Sequence, residues 1–301
     1  MKRLIWLIQA CGLLLVVLPV ALMPYRLACA FGQGLGMAVH MLWSSRRRIA
    51  IDNIRRAIDN GALPASLDAE QAVRDFFRQL GRSVAELIKI YCGLGRHILD
   101  GVRIEGKEYF DEAKRSGRGI LFITGHCGNW EIMALVTGLR CEPASVVARA
   151  QNNPYLNQMI AWVRARYGNH IIYKQGALKA ILSELRHNRI VGILMDQAVF
   201  ENEGVLIEFL GRPAWTTKMP ALIGRKTGAA MLSAFIHREG DEQVIRFSPP
   251  FYLDGGSGEG EAALIADTQR LSRHIEDHIR AYPSEWLWIH RRWKRTGEEK
   301  A

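Results

Sequence analysis

Gly119-Ile-Leu-Phe-Ile-Thr-Gly-His-Cys-Gly-Asn-Trp-Glu-Ile-Met-Ala-Leu-Val-Thr-Gly-Leu139 reads as a buried strand that passes through a tight loop into a helix. Ile120 to Thr124 are apolar or β-branched, bounded by glycines and without polar alternation, the pattern of a strand covered on both faces of a parallel sheet. Asn129 suits the N-cap of the apolar-periodic run that follows, which puts Glu131 in the first helical turn and leaves His126 on the loop. Five residues along a regular helix rotate by about 140°, so His126 and Glu131 meet only if the histidine lies outside the helix. A carboxylate on one imidazole nitrogen then fixes the tautomer and frees the other nitrogen to take a proton from a hydroxyl.

The His-x4-acid spacing alone is weak, because nine histidines and thirty acidic residues give roughly one match by accident. A second match, His237 and Glu242, leaves a predicted strand and enters the polar run Arg238 to Gln243, which reads as a hairpin turn. His126 differs in context. It ends a buried strand, where open α/β sheets place their sites.

A chain of 301 residues, 49% apolar and 23% charged, accommodates one large or two modest domains with an ample core. Lysine and arginine exceed the acids by ten, with a pI near 9.6, so the expected partner is anionic: nucleic acid, a lipid surface, a phosphorylated substrate or an acidic protein. Cys11, Cys29, Cys92, Cys127 and Cys141 are odd in number and lack any Cys-x-x-Cys spacing. That argues for reduced thiols on the cytoplasmic side and against a disulfide framework or structural zinc.

Residues Leu4 to Met23 form an apolar run long enough to cross a bilayer, and Leu27 to Trp43 continue it past Pro24-Tyr25-Arg26, with Gly32, Gly34 and Gly36 allowing close backbone approach. Either a single span or a re-entrant, interfacial pair satisfies this N-terminal membrane segment, residues 1–43. Residues 44–100 then carry the Arg46–Arg48 cluster, Ile49, Asn53, Ile54 and Ile58 at helical spacing, and an amphipathic stretch opened by Asp68 and Gln71. From residue 101 to 301, short apolar strands alternate with helical stretches. The fold class expected is α/β, a mainly parallel sheet flanked by helices.

Arg149 and Asp196-Gln197 follow two further strands, so His, Arg and Asp all project from the carboxyl edge of one sheet. Arg149 is either an anion or oxyanion holder or a surface arginine before a turn, and Asp196 either a site residue or a helix cap. The tail from Tyr282 interleaves Trp286, Trp288 and Trp293 with Arg291, Arg292, Lys294 and Arg295. Such a mixture fits single-stranded nucleic acid, a lipid interface or an acidic carrier; the apolar N-terminus favours the last two, and no nucleic acid is expected as a partner. Phosphate-binding glycine loops are absent from strand-to-helix settings, so no nucleotide cofactor is expected. Cys127 is an unsuitable nucleophile for His126, since neighbours in an extended segment point apart.

These residues together resemble the late acyltransferases of lipid A biosynthesis, the lauroyl and myristoyl transferases: His126-Cys-Gly-Asn-Trp-Glu131, Arg149 with Asn152-Asn153-Pro154, Asp196-Gln197, Phe209-Leu-Gly-Arg-Pro-Ala-Trp-Thr-Thr217, and Tyr282-Pro283 with Trp288-Ile-His-Arg-Arg-Trp-Lys294. The resemblance extends over nearly the whole chain. It implies a glycerolipid-acyltransferase-like fold, attachment to the inner membrane and its phospholipids facing the cytoplasm, and acyl transfer from acyl carrier protein to a lipid A precursor. It also implies that His126 and Glu131 are the catalytic pair. On this reading His126, oriented by Glu131, deprotonates the 3-hydroxyl of an acyl chain on a Kdo-bearing precursor, Asn129 and nearby N–H groups steady the oxyanion, and Arg149 and Asp196 bind substrate. No metal or other cofactor is required. The alternatives are an acyl-CoA-dependent enzyme of mannosylated inositol lipids and a membrane-anchored binder of anionic lipid or nucleic acid without chemistry.

Overall fold

The computed structural model describes residues 17–150, 153–174, 176–253 and 260–296. After a helical stretch at 17–22 come helices α1 (Tyr25–Leu42), α2 (Ser44–Asp59), α3 (Ala69–Tyr91) and the short α4 (Arg96–Asp100). The strand-helix alternation follows as β1 (Arg103–Glu105), α5 (Lys107–Arg115), β2 (Ile120–Thr124), α6 (Trp130–Arg140), β3 (Ala144–Ala148), α7 (Pro154–Arg166), β4 (His170–Tyr173), α8 (Ala177–Arg186) and β5 (Ile190–Leu194). The remainder is β6 (Gly204–Phe209), β7 (Arg212–Thr217), α9 (Met219–Thr227), β8 (Ala230–Glu239), β9 (Glu242–Phe247) and α10 (Glu261–Ala281).

The sheet runs β1-β9-β8-β2-β5-β3-β4, parallel throughout except where β9 returns against β8. β2 is central and buried at all five positions, Leu121 and Ile123 packing into one apolar layer and Ile120 and Phe122 into the other. This is the α/β architecture expected from its uninterrupted apolar run. The chain leaves β2 for β3, two places away, and only later inserts β5 between them, pairing Thr124 with Leu194. Two strands distant in sequence therefore end side by side.

Some expectations need correction. The alternation of strands and helices is interrupted after β5: Arg212–Thr217 forms β7, an antiparallel partner of β6 outside the main sheet, so Pro213 sits in a two-stranded ribbon that tolerates it. His237 is not in a turn. It lies within β8, buried, with Nε2 3.1 Å from Glu239, and the hairpin reverses between Glu239 and Glu242. Among the described residues no helix is long and apolar enough to cross a membrane, and residues 1–16, which hold most of the apolar run, lie outside those described.

Small residues dictate how the N-terminal helices seat. α1 crosses α3 at Gly32, Gly36 and Gly81, where a Cβ on Gly81 would stand 2.0 Å from the Gly32 carbonyl oxygen. Gly34 faces open space and takes no part. The close approach carries Glu86 of α3, fully buried, to the middle of a polar cluster. Its carboxylate accepts from Tyr25 Oη at 3.0 Å, Gln243 Nε2 at 2.8 Å, Arg238 Nη2 at 2.5 Å and Asn129 Nδ2 at 3.3 Å, with Arg82 Nε at 3.4 Å. One side chain thus ties α1, α3, the start of α6, β8 and β9. Removing it leaves the buried Arg238 guanidinium without its carboxylate and Arg82 with only the exposed Asp241, so Glu86→Ala is expected to lose about 3–5 kcal/mol of unfolding free energy in denaturant titrations; a loss below about 1 kcal/mol contradicts this role.

Candidate active site

Register alone brings the two central polar side chains together. His126 stands two residues beyond Thr124 and Asp196 two beyond Leu194, and Thr124 and Leu194 are paired across β2 and β5. Asp196 Oδ1 lies 2.8 Å from His126 Nδ1, and Oδ2 accepts the His126 backbone N–H at 3.0 Å. Oδ2 also accepts the indole N–H of Trp286 at 2.9 Å. With Nδ1–H directed at the carboxylate, Nε2 holds the lone pair.

The electrostatics follow from this contact. Burial favours the neutral imidazole, but the charge and hydrogen bond of Asp196, helped by the charge of Glu131, outweigh it and raise the His126 pKa above the ordinary value. Burial would likewise raise Asp196. The imidazole and the two N–H donors reverse that and hold its carboxyl well below the usual range.

His126 opens onto a cavity of about 920 Å³ lined by β2, β3 and β5, by α6 and α8, and by the loop after Asp196. Its interior is mostly apolar, with Phe122, Met133, Ala144, Val146 and Ile181 among the walls, while Arg149, Arg164, Lys174 and Lys218 carry positive charge into the lining. The Gln197 amide nitrogen lies 3.3 Å from His126 Nε2, and the Trp130 ring meets the imidazole edge-on with centroids 5.0 Å apart. A base, an amide donor and an apolar chamber therefore share one space, the combination needed to take a proton from a hydroxyl carried by a greasy substrate. Among the described residues no group of three or more His, Cys, Asp or Glu is placed to hold a metal ion.

Other predicted site residues stand differently. Glu131 lies in the first turn of α6 and lines the cavity, but its carboxylate grips Arg164 of α7 in a two-point pair, Oε1 to Nη2 at 2.6 Å and Oε2 to Nε at 3.3 Å. The carboxylate on the imidazole is that of Asp196, because the sheet register delivers it there and the helix start turns Glu131 towards α7. Asn129 is buried and does not line the cavity: Oδ1 caps Ile132 N at 3.4 Å while Nδ2 points to Glu86 and the Ser83 carbonyl. Arg149 is exposed at the cavity wall. The Cys127 thiol is buried, and its pKa is driven far up by desolvation and by the Asp196 and Glu285 charges.

The tail is also reassigned. Trp286, Trp288 and Trp293 are at most 1% exposed, and buried Arg292 donates to Trp215 O at 2.7 Å and to Thr216 Oγ1, so most of this aromatic-basic mixture is core rather than a lipid or carrier surface. It backs the His126 loop: Leu287 N donates to His126 O at 3.1 Å, Gly128 N to Glu285 O at 2.8 Å, and Asn53 Nδ2 to Trp288 O at 2.9 Å. Trp286 and Arg164 were invisible as site residues in sequence, since a core tryptophan and a helix arginine carry no motif.

The sequence model of the family described as bacterial lipid A biosynthesis acyltransferase matches residues 3–295. A lipid A biosynthesis palmitoleoyltransferase of Escherichia coli K12 is 25% identical over 277 residues, covering 90% of this chain and 86% of that protein. A lipid A biosynthesis lauroyltransferase of the same organism is 24% identical over 280 residues, covering 92% and 88%. A phosphatidylinositol mannoside acyltransferase of Mycobacterium tuberculosis H37Rv is 29% identical over 194 residues, covering 63% and 59%.

Only neutral imidazole accepts a proton, so turnover is expected to fall as pH drops through the raised His126 pKa, with the acid limb of kcat/KM above 6.5. Asp196→Asn leaves burial as the main influence, moves that limb to lower pH and cuts kcat/KM by about 10²–10⁴-fold. Glu131→Gln moves the limb the same way by less. An acid limb unmoved by Asp196→Asn contradicts the assignment.

Proposed function

Since the chain belongs to the bacterial lipid A biosynthesis acyltransferase family, we propose that it transfers a fatty acyl group from acyl carrier protein to the 3-hydroxyl of an acyl chain on a Kdo-bearing lipid A precursor. The observation that carries the mechanism is the 2.8 Å contact between Asp196 and His126 Nδ1, which leaves Nε2 basic at the wall of an apolar cavity. Nε2 removes the hydroxyl proton as that oxygen forms a bond to the thioester carbonyl carbon. The carbon–sulfur bond then breaks, and the imidazolium returns the proton to the departing thiolate. General-base help of this kind supplies about 10²–10⁴ in rate, and positioning in the cavity supplies much of the rest.

Asp196 orients the base. Glu131 adds negative charge nearby and holds Arg164 in place, so the catalytic pair His126–Glu131 becomes a set of three in which Glu131 acts at a distance. Asn129 is committed to Glu86 and does not reach the cavity, so the side-chain amide beside His126 is that of Gln197, 3.3 Å from Nε2. Arg149 and Lys218 carry positive charge at the cavity, and with the chain's net charge of +10 they suit a phosphorylated acceptor and an acidic carrier protein.

We place the enzyme on the cytoplasmic face of the inner membrane. Supporting this, Leu27, Phe31, Leu35 and Leu42 are exposed along one side of α1, beside the face that buries Ala28, Gly32 and Gly36, and Trp43 with Arg46 closes the stripe. An apolar stripe ending in tryptophan and arginine fits the headgroup boundary of anionic phospholipid. Its test is sedimentation with anionic vesicles, where Phe31→Glu with Leu35→Glu is expected to reduce the bound fraction at least several-fold; unchanged binding contradicts it.

Transfer of radiolabelled acyl groups tests the function. Wild-type membranes given acyl carrier protein thioesters are expected to acylate the Kdo-bearing tetraacyl precursor, and His126→Ala to lose about 10²–10⁴-fold of that rate. Turnover with acyl-CoA on a mannosylated inositol lipid and none on the lipid A precursor would instead favour the acceptor named for the mycobacterial relative.

A further inference from the structure

Gly192 is the one residue of β5 whose identity the fold does not explain. It is absent from the positive-φ glycines, so its backbone does not require glycine. A Cβ built on it meets nothing within 4 Å, unlike Gly119, Gly106 or Gly204, where a neighbour stands closer than 3 Å. Glycine inside a central strand weakens it unless something must approach the backbone closely. What approaches here is the cavity.

The register shows what the missing side chain leaves open. Gly192 pairs with Phe122 of β2 on one side and Val146 of β3 on the other, and all three line the chamber. One rung nearer the base are Thr124 and Leu194, and the next step up that line is His126 beside Asp196. One rung deeper, Ala144 pairs with Ile190. Ala134 and Thr137 of α6 add further small side chains to the lining. The path from His126 to Gly192 spans four residues along the sheet, roughly 13 Å at strand rise.

We propose that Gly192 determines acyl-chain length: the slot between Phe122 and Val146 admits the end of a saturated acyl chain whose reacting carbon is held at His126. This rests on the acyltransferase reading above and adds which part of the cavity sorts the substrates. The chain arrives either on the donor thioester or as part of the acceptor. A Cβ at 192 enters the slot without a clash, and each further carbon takes room from the acyl chain.

The test compares full-length wild type with Gly192→Ala, Gly192→Val and Gly192→Leu, using saturated acyl carrier protein donors of eight to sixteen carbons. For Gly192→Val, the ratio of kcat/KM for short over long donors is expected to rise at least tenfold, since each methylene denied apolar room costs about fourfold. Leucine moves the cut-off further, alanine less, and the melting temperature does not fall in the alanine and valine variants. In parallel, free saturated fatty acids of the same lengths are titrated against melting temperature. Long acids are expected to stabilise the wild type and to stabilise Gly192→Val much less, and this readout remains informative if the enzyme uses another donor or acceptor. A changed preference for acceptor chain length with an unchanged donor profile assigns the slot to the acceptor. Donor, acceptor and fatty-acid profiles identical in all four proteins would overturn the proposal.

Discussion

The Asp196 carboxylate accepts three hydrogen bonds from two well-separated parts of the chain: the imidazole and the backbone N–H of His126, and the indole of Trp286. A buried charge this well satisfied costs little to keep ionised and much to disturb. It fixes the imidazole tautomer, anchors the loop after β2 and pins the C-terminal tail behind that loop. The imidazole, the loop after β2 and the tail behind it are thus held by one carboxylate.

Two supports keep it in place. Behind the loop, residues 285–288 bond to Gly128 and His126 through the backbone, and Trp286, Trp288 and Trp293 fill the space beneath them. On the other side, Asn129 caps α6 and hands its amide to Glu86, whose further partners come from α1, β8 and β9. The seating of α1 on α3 through Gly32, Gly36 and Gly81 is thus coupled to the start of the helix that follows His126. A change at the N-terminal helices reaches the site through packed and hydrogen-bonded neighbours rather than at long range.

Much of this was legible in the amino-acid order, for physical reasons. Ile120–Thr124 has no polar alternation, so it had to be covered on both faces, and His126 at its end had to lie at the carboxyl edge of a parallel sheet. The partner of His126 was not legible in the same way. Glu131 is near in sequence, whereas Asp196 becomes near only because β5 inserts beside β2, and strand order in a sheet is a tertiary choice. Asp196 was recognisable as an acid at a strand edge, but its neighbour was not. The tail misled because tryptophan and arginine look alike at a surface or in a core, and only the pockets formed by Phe209, Trp215 and Thr216 decide the matter. β7 carries little strand signal of its own, since Pro213 argues against a central strand and says less against a ribbon.

The cavity joins chemistry to substrate. Its apolar floor and basic residues suit a molecule that is part hydrocarbon and part phosphate, and His126 stands where the sheet ends and the loops begin. Asp196, not Glu131, is the carboxylate on the His126 imidazole. Nitrogen NMR of histidine-labelled protein, with His126 assigned by its loss in His126→Gln and followed against pH, reads that directly. An Nδ1-protonated tautomer and a pKa raised above 6.5 are expected to survive in Glu131→Gln and to disappear in Asp196→Asn. Loss of both features in Glu131→Gln, with Asp196→Asn unaltered, would contradict this pairing.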